Sequence, residues 1–297
     1  MKILFIGCVE SSYILLKELI AHGASICGVV TKRESKFNSD FNDLADLCVS
    51  NSLEYIYSEN ANDSRTTEFI KSKKPDIIYC FGWSFLLSKE IISIPRLGVV
   101  GFHPAKLPYN KGRHPLIWAL VLGLESTAST FFMIDEKADN GDIVSQIDIP
   151  ISFEDDAKCL YNKVMQVAKK QVVQITKSFS EDSIVFKHQN SNEGNFWRKR
   201  SKNDGKIDFR MSSLSIYNLI RGLSRPYVGA HIEFNGCEYK VWSAKIIEKN
   251  LDKFKNIEPG KLIEIYDDKS FLVKTGDGLI KILESDELNL RVGEYIW

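Results

Sequence analysis

The sequence lacks the features that would place it among membrane or nucleic-acid-binding proteins. Its 297 residues include 39 basic and 39 acidic side chains, so no overall charge attracts nucleic acid or anionic lipid. No run reaches the roughly 18 apolar residues of a membrane span. The short apolar run at the N-terminus is followed by Glu10, which favours a first strand over a signal peptide. We therefore expect a cytoplasmic protein with no membrane partner.

Two compact sequence signatures are also missing. The six cysteines are scattered, mostly inside apolar segments, and none forms a CxxC pair, so neither a disulfide framework nor a zinc site is expected. The glycine-rich GxGxxG fingerprint is absent after the first apolar run, where the chain reads Gly7-Cys8-Val9-Glu10-Ser11-Ser12. A dinucleotide site at that position is therefore not expected.

What is present in the first half is an alternation of apolar strands and helical patterns. Strands that are apolar throughout and separated by helices predict an α/β fold, a Rossmann-like and mostly parallel sheet with helices on both faces. Ligands bind such sheets beyond the carboxyl ends of the strands. The predicted stretches are, in order, strand 2–8, helix 11–21, strand 25–31, helix 41–49, strand 54–57, helix 65–73, strand 76–80, helix 85–92 and strand 97–102.

The second half changes in composition. A helix from about 115 to 122, two strands and a helix from about 154 to 179 come first, and residues 191–205 are then polar and contain glycine, as is typical of a linker. The remainder is strand-rich after one helix at about 214–223. We predict a main domain over 1–190, a linker over 191–205 and a small β-rich domain over 206–297.

His103 is the main candidate for chemistry. It ends an apolar strand at the edge where α/β sites form, and a stiff loop with Pro104 and Pro108 follows it. A lone histidine is more often structural, but an imidazole at this edge can accept or donate a proton near neutral pH. Asp139 is the second candidate. Its segment is typical of a simple turn, and its carboxylate could instead orient an imidazole and stabilise the charged form.

A basic cluster precedes the helix that begins near Pro115. We expect this cluster to be flexible, and its ordinary interpretation is a solvated loop. The functional alternative is phosphate recognition, because arginine binds phosphate oxygens with two N–H groups and glycine lets backbone amides approach a ligand. The cluster consists of Lys111, Gly112, Arg113 and His114.

Together these motifs resemble the core of the formyltransferases that use 10-formyltetrahydrofolate. That family includes methionyl-tRNA formyltransferase, glycinamide ribonucleotide transformylase and the sugar N-formyltransferases. The resemblance covers roughly residues 1–180, and the segment 209–242 is similar to the start of the C-terminal β domain of the tRNA and sugar branches. The motifs that carry it are His-Pro-Ala-Lys-Leu-Pro (103–108), Lys-Gly-Arg (111–113), Ala-Asp-Asn-Gly-Asp-Ile-Val (138–144) and Lys-Val-Trp (240–242).

The resemblance implies a role for each of these positions when a primary amine attacks the formyl carbon. His103 would assist deprotonation of the amine, and Asp139 would fix the imidazole and help to shuttle the proton. No metal is implied. The co-substrate 10-formyltetrahydrofolate would be held by Phe81, Gly82, Trp83, Phe85, Leu86, Asn140, Gly141 and Asp142. The acceptor would be bound by Lys106, Lys111, Gly112, Arg113 and His114.

One position departs from the family pattern. The family has Asn-x-His, in which the asparagine amide donates to the developing oxyanion, and Gly101 stands at that place in this sequence. Losing one oxyanion donor costs about 3 kcal/mol of transition-state stabilisation. Either another donor replaces it or the activity is altered. Asn110, His114 and Asn140 are the candidates, and the sequence does not choose among them.

We expect the acceptor to be an amino sugar carried on a nucleotide. Residues 201–297 contain about 15 basic and about 15 acidic side chains, whereas a tRNA-binding appendage should be visibly basic. The variant Gly-Phe-His (101–103) and the residues after it resemble formyltransferases of surface-polysaccharide pathways, including those acting on nonulosonic acids such as pseudaminic acid. The expected partner is thus a nucleotide sugar, with no nucleic acid and with a homodimer left open. The alternatives are a methionyl-tRNA formyltransferase and a non-catalytic folate- or sugar-binding protein.

Overall fold

The apolar strands of the first half pair into one seven-stranded sheet. The computed structural model describes residues 1–35, 40–190, 192–248 and 251–296. The sheet order is β3-β2-β1-β4-β5-β7-β8, with the first five strands parallel and β7 antiparallel to β5, which confirms the predicted mostly parallel, Rossmann-like sheet. Its strands are β1 (Lys2–Ile6), β2 (Ser25–Thr31), β3 (Tyr55–Tyr57), β4 (Ile77–Cys80), β5 (Val99–His103), β7 (Ser126–Met133) and β8 (Ile143–Pro150), and the short β6 (Lys111–Gly112) lies between β5 and β7 in the chain.

Helices cover both faces of this sheet. Side chains alternate between faces along a strand, and β4 shows both environments. The Tyr79 hydroxyl lies 2.9 Å from the Thr176 hydroxyl of α6, whereas Ile78 packs in a core cluster with Ile70 of α3 and Ile91 of α4. Within the described residues, no helix is both long and apolar enough to cross a membrane. Taken over all described residues and in chain order, the α-helices are α1 (Glu10–Ala21), α2 (Ala45–Ser50), α3 (Ser64–Lys73), α4 (Lys89–Ile92), α5 (Pro115–Val121), α6 (Ala157–Ser180) and α7 (Ser213–Leu223).

Two of the predicted helices were wrong in extent. The helix expected over 41–49 begins only at Ala45, and the helix expected over 85–92 is confined to Lys89–Ile92. Ser88 explains the late start of α4, because its backbone is extended and its hydroxyl accepts a hydrogen bond from the Ile91 N–H at 3.4 Å, as an N-cap does. Residues 81–88 are therefore a loop at the carboxyl end of β4.

The second half forms a smaller sheet of antiparallel strands with one helix against it. The order is β10-β11-β14-β13-β12, and every pair in it is antiparallel. Ile216 and Ile220 of α7 pack into a core with Val241, Phe271 and Ile280 of the sheet. The fold class predicted for the second half, small and rich in β-strands, is therefore confirmed. The strands are β10 (Ala230–Phe234), β11 (Cys237–Ile247), β12 (Leu262–Ile265), β13 (Phe271–Lys274) and β14 (Leu279–Ser285).

The chain divides into two compact units that each draw on separate stretches of sequence. The first comprises Met1–Pro115, Thr127–Ile149 and Asn162–Arg198, and the second comprises Leu116–Ser126, Pro150–Tyr161 and Lys199–Trp297. The segment predicted as a linker contains a two-residue strand, β9 (Phe196–Trp197), and a 3-10 helix (Lys202–Gly205). Its first residue, Ser191, lies outside the described residues. The domain boundaries stay a prediction.

Candidate active site

His103 lies at the end of β5, where the parallel strands present their carboxyl ends. Its side chain is nearly buried, with 6% of the residue exposed, and its Nε2 lies 2.9 Å from the backbone oxygen of Asn110. Because a carbonyl oxygen only accepts, Nε2 must carry the proton and donate it to Asn110. In the neutral imidazole the lone pair is then on Nδ1, which makes Nδ1 the proton acceptor of the site.

Asp139 faces that same nitrogen. It adopts a left-handed backbone conformation with φ of 54°, which aspartate tolerates in turns. Its Oδ1 lies 3.8 Å from His103 Nδ1, and its Oδ2 accepts a hydrogen bond from the Gly112 N–H at 2.9 Å. Nδ1 of the neutral ring carries no proton and makes no hydrogen bond to this carboxylate, but the carboxylate at 3.8 Å stabilises the ring once Nδ1 is protonated. The structure thus brings together the two residues that the sequence singled out.

The basic cluster is held in place, contrary to the flexibility we expected of it. Residues Lys111 and Gly112 form β6, which pairs in parallel with β9. The Lys111 side chain is buried, its Nζ donates to Asn140 Oδ1 at 3.1 Å, and it lies over the Phe196 ring at 5.6 Å. Its ammonium therefore connects residues 111–114 to the turn that carries Asp139. We call residues 111–114 the acceptor loop, after the acceptor that they are predicted to bind. Gly112 has φ of 100°, and a Cβ there would lie 2.4 Å from the Trp197 carbonyl oxygen.

The other predicted acceptor-binding residues occupy different positions. Arg113 is exposed and donates to the Ser84 backbone oxygen at 3.0 Å, so it lies beside the loop that follows β4. His114 has φ of 56° and immediately precedes α5. Lys106 forms an ion pair with Asp148 at 2.6 Å on an exposed surface, so its charge is already engaged.

The loop after β4 begins with buried residues and continues with exposed apolar side chains. The Phe81 side chain belongs to the core and its carbonyl accepts from Ser12 Oγ at 2.6 Å, so only its backbone faces the loop. Gly82 has φ of 67°, and a Cβ there would collide with Val9 at 2.1 Å. Phe85 and Leu86 are 49% and 58% exposed.

This loop fits a flat, polar-edged aromatic ligand. Within the described residues, the buried indole N–H of Trp83 has no hydrogen-bond partner, and the backbone N–H groups of Trp83, Phe85 and Leu86 donate to no acceptor. Donors left unsatisfied beside an apolar rim are what a pterin ring with acceptor atoms at its edge would use.

The turn that carries Asp139 is fixed by contacts that the sequence did not reveal. Gln189 donates to the backbone oxygens of Asp139 at 3.2 Å and of Gly141 at 2.6 Å, and Asp142 binds His188 at 2.8 Å. A Cβ on Gly141 would lie 1.8 Å from the Met133 oxygen, so this tight turn requires glycine. Gln189 was missed because it is 48 residues from Gly141 and forms part of no motif.

The segment predicted as a linker also supports the site. Asn195 Oδ1 accepts from the Asn110 N–H at 2.9 Å, which orients the carbonyl that His103 binds. Asn110 itself has φ of 64°. Phe196 and Trp197 contact Lys111 and Gly112 as described above. A strand of two residues leaves no periodic signal in the sequence, so pattern analysis could not have found this pairing.

The place of the family asparagine is filled by hydrophobic side chains. Gly101 pairs with Phe132 of β7 across the sheet. A Cβ on Gly101 would lie 2.8 Å from the Phe132 ring and 3.0 Å from Ile134 Cγ1. An asparagine there would require the Phe132 or Ile134 side chain to move.

The thiols near this edge are unsuited to nucleophilic chemistry. Burial raises the pKa of the Cys80 thiol well above its usual value, and Cys8 is also buried. A thiol that stays protonated is a poor nucleophile. The arrangement therefore offers proton transfer through an imidazole–carboxylate pair at a strand end, next to a loop with free N–H donors.

Comparison with known families shows to which family the chain belongs. The formyl transferase family model matches residues 1–176, and the model of the formyl transferase C-terminal domain matches residues 199–289. The chain belongs to the formyl transferase family. It is thus an enzyme that transfers a formyl group, with 10-formyltetrahydrofolate as its co-substrate.

The individual proteins that the chain resembles differ in the activities that their names give. The chain is 27% identical over its full length to the methionyl-tRNA formyltransferase of Caldanaerobacter subterraneus subsp. tengcongensis, and it covers 96% of that protein. The sugar 3N-formyl transferase WlaRD, solved in the presence of dTDP and 5-N-formyl-THF, matches with a TM-score of 0.70 and 17% identity over 98% of this chain and 99% of that one. A HypX variant from Aquifex aeolicus matches with a TM-score of 0.67 and 20% identity over 97% of this chain, which spans 45% of HypX. At these identities the two structures show the fold alone.

Proposed function

We propose that this formyl transferase acts on the primary amine of an amino sugar that is carried on a nucleotide. The observation that carries the proposal is the charge balance of the second half, where basic side chains are neutralised by acidic ones. A surface that grips tRNA presents unpaired basic side chains along the phosphate path. The pairs are Lys202–Glu238, Lys206–Glu233, Lys240–Glu238, Arg210–Asp208, Arg225–Glu284 and Lys269–Glu287.

Arg113 is the residue of the acceptor loop that suits a phosphate. It is exposed and its contact with Ser84 uses one N–H group of its fork, so other N–H groups remain for a diphosphate. Lys111 instead holds the loop, because its ammonium is buried and engaged by Asn140. The sugar 3N-formyl transferase of similar fold was solved in the presence of dTDP, which supports a nucleotide diphosphate as part of the acceptor.

His103 acts as the base in this proposal. As the amine nitrogen attacks the formyl carbon, the amine gives one proton to His103 Nδ1. The Asp139 carboxylate at 3.8 Å stabilises the imidazolium that results. The protonated Nδ1 then returns the proton to the nitrogen of the leaving folate when the bond between that nitrogen and the formyl carbon breaks. One amide is formed and one is broken, so the exchange is balanced in atoms and charge.

The oxyanion donor must come from outside β5, because Phe132 and Ile134 fill the space beside Gly101. The Asn140 oxygen accepts from Lys111 and one N–H of its amide donates to Asp135, which leaves the second amide N–H for an oxyanion. The side-chain amide of Asn110 makes no hydrogen bond with the described residues, and its backbone already contacts His103. All three candidates from the sequence, Asn110, His114 and Asn140, therefore remain.

The test is a mass-spectrometric screen. The protein is incubated with 10-formyltetrahydrofolate and a panel of amino-sugar nucleotides that vary in amine position and base, including precursors of pseudaminic and related nonulosonic acids. A gain of one formyl group on a sugar nucleotide, lost without the folate and in His103→Ala, is expected.

Methionyl-tRNA is the second acceptor, favoured by the identity to a methionyl-tRNA formyltransferase over the full chain. It enters the same screen as a separate arm. Formylation of methionyl-tRNA alone would overturn the proposal and establish this acceptor. No transfer to any acceptor in the screen, with intact binding of 5-formyltetrahydrofolate, would overturn both proposed acceptors.

A further inference from the structure

A buried lysine lies beneath the loop that follows β4. Lys32 comes directly after β2, and its side chain is only 7% exposed. Its Nζ donates to the backbone oxygen of Glu59 at 3.0 Å and to Glu59 Oε2 at 3.2 Å. The same ammonium lies 5.1 Å from the ring centroids of both Trp83 and Phe85. We call these four residues the lysine cage.

The cage brings together three loops of the same sheet edge. Lys32 follows β2, Glu59 follows β3, and Trp83 and Phe85 follow β4, all of which are parallel strands. Carboxyl ends of parallel strands form the edge where ligands bind. The cage is therefore placed to set the conformation of the loop rather than to support the sheet beneath it.

The ammonium has no capacity left for a ligand. An ammonium has three N–H donors. Two point to Glu59, and the remaining face is covered by aromatic rings that attract the cation through their π electrons. Binding an anion would require Lys32 to leave Glu59, so a direct ligand role does not fit the geometry.

We infer that Lys32 is a positioning residue that fixes Trp83 and Phe85 for folate binding. The inference rests on the proposed placement of 10-formyltetrahydrofolate against this loop. Asn62 completes the support from the other side, because its amide donates to the Leu86 oxygen at 2.9 Å and accepts from the Ser88 N–H at 2.7 Å. With both ends held, the unpaired N–H groups of the loop stay aligned for a ligand, which lowers the ordering cost of binding.

The test measures the Kd of 5-formyltetrahydrofolate by calorimetry on the full chain, together with Tm. Lys32→Met keeps the length of the side chain but removes the charge. We expect its Kd to rise about tenfold, equivalent to about 1.4 kcal/mol. Lys32→Arg keeps a cation that stacks on aromatic rings and bonds a carboxylate, so its Kd should rise less than that of Lys32→Met. Glu59→Gln, a change at a side chain that is 74% exposed, should raise Kd about threefold.

Lys73→Met is the matched control. Lys73 also pairs with a glutamate, Glu54, and lies over an aromatic ring, Phe69 at 4.9 Å, but it belongs to α3 and not to the lysine cage. Its replacement should change Tm without changing Kd. A Lys32→Met protein with lower Tm and unchanged Kd would show a merely structural role and overturn the inference. If Lys32→Met does not fold, an unchanged Kd in Glu59→Gln overturns it equally.

The wild-type measurement separates this inference from the proposed function. A wild-type protein that does not bind 5-formyltetrahydrofolate would overturn both the placement of the folate and the role of Lys32. A wild-type protein that binds it, with Lys32→Met binding equally well, would overturn only the role of Lys32.

Discussion

At the scale of single residues, the site depends on which nitrogen of His103 carries the proton. The contact between Nε2 and the Asn110 oxygen at 2.9 Å directs the lone pair of Nδ1 toward Asp139. In the proposed mechanism, the proton-accepting role of Nδ1 thus depends on a backbone carbonyl that a left-handed residue presents to the ring.

Replacing either member of the pair should abolish transfer without abolishing folate binding. Positioned proton transfer contributes about 10²–10⁴-fold, so His103→Ala should lose that much kcat. Asp139→Asn keeps an acceptor for the Gly112 N–H and loses only the charge, so it should be less impaired than Asp139→Ala. Single-turnover kinetics and binding of 5-formyltetrahydrofolate measure the two effects. Undiminished turnover in both alanine variants would contradict the assigned roles.

Gly101→Asn tests whether restoring the family asparagine restores a donor. Its Cβ would lie within 3 Å of the Phe132 ring, and such overpacking costs about 1–3 kcal/mol. We expect lower stability in urea unfolding and no gain in kcat. Adding Phe132→Ala should relieve the clash, so the double variant should be no less stable than Phe132→Ala alone. A faster Gly101→Asn enzyme would mean that the pocket can open and that the donor is simply missing.

At the scale of elements, β6 and β9 hold the acceptor loop against the Asp139 turn. Gly112→Ala would place a Cβ 2.4 Å from the Trp197 oxygen at a φ of 100°, which only glycine adopts readily. We expect this pairing to open locally, with faster amide exchange at residues 112 and 113 and a loss of kcat of about tenfold or more. Unchanged exchange and turnover would show that the pairing is dispensable.

A second element-scale prediction concerns Glu238 on β11. Hydrogen bonds from Lys202 and Lys240 lower the pKa of Glu238 from 4.5 to about 2. A lowered carboxyl pKa contributes stability that is complete above about pH 4.5 and is lost as the pH falls toward 2. The difference in unfolding free energy between wild type and Glu238→Gln should therefore be constant near neutral pH and shrink below about pH 4.5. A difference that does not shrink would contradict the lowered pKa.

The sequence predicted those elements whose signal is local. Continuous apolar runs identified β2 and β5, and with β5 the position of His103 at its end. The pairing of Asn110 with Asn195 spans 85 residues and uses one amide, so no periodicity records it. The bounds of β11 leave little signal in the sequence for another reason: its burial alternates irregularly over Cys237–Ile247, where a bulge shifts its register with β14. The filling of the Gly101 space by Phe132 is likewise a property of pairing between strands, which only the folded chain reveals.

At the scale of the whole molecule, the two proposed acceptors require different distributions of charge. The chain carries equal numbers of basic and acidic residues, and in the second half many of them neutralise each other in pairs. Affinity for a polyanion depends steeply on salt, because each neutralised phosphate releases counterions. A nucleotide diphosphate offers only two phosphates to Arg113 and the neighbouring backbone.

The affinity of the enzyme for its acceptor should therefore depend only weakly on the salt concentration. Raising salt from about 50 to about 200 mM weakens a contact with six to ten phosphates by about 10³–10⁵-fold, whereas two phosphates give a change of no more than about tenfold. We expect the KM for the sugar nucleotide to rise by no more than about tenfold over this range of salt. Arg113→Gln should raise this KM and make it depend even less on salt. Arg210→Gln, at an exposed arginine paired with Asp208 in the second half, is the control and should change neither. A steep dependence that Arg210→Gln reduces would instead indicate a long phosphate track, and with it a tRNA acceptor.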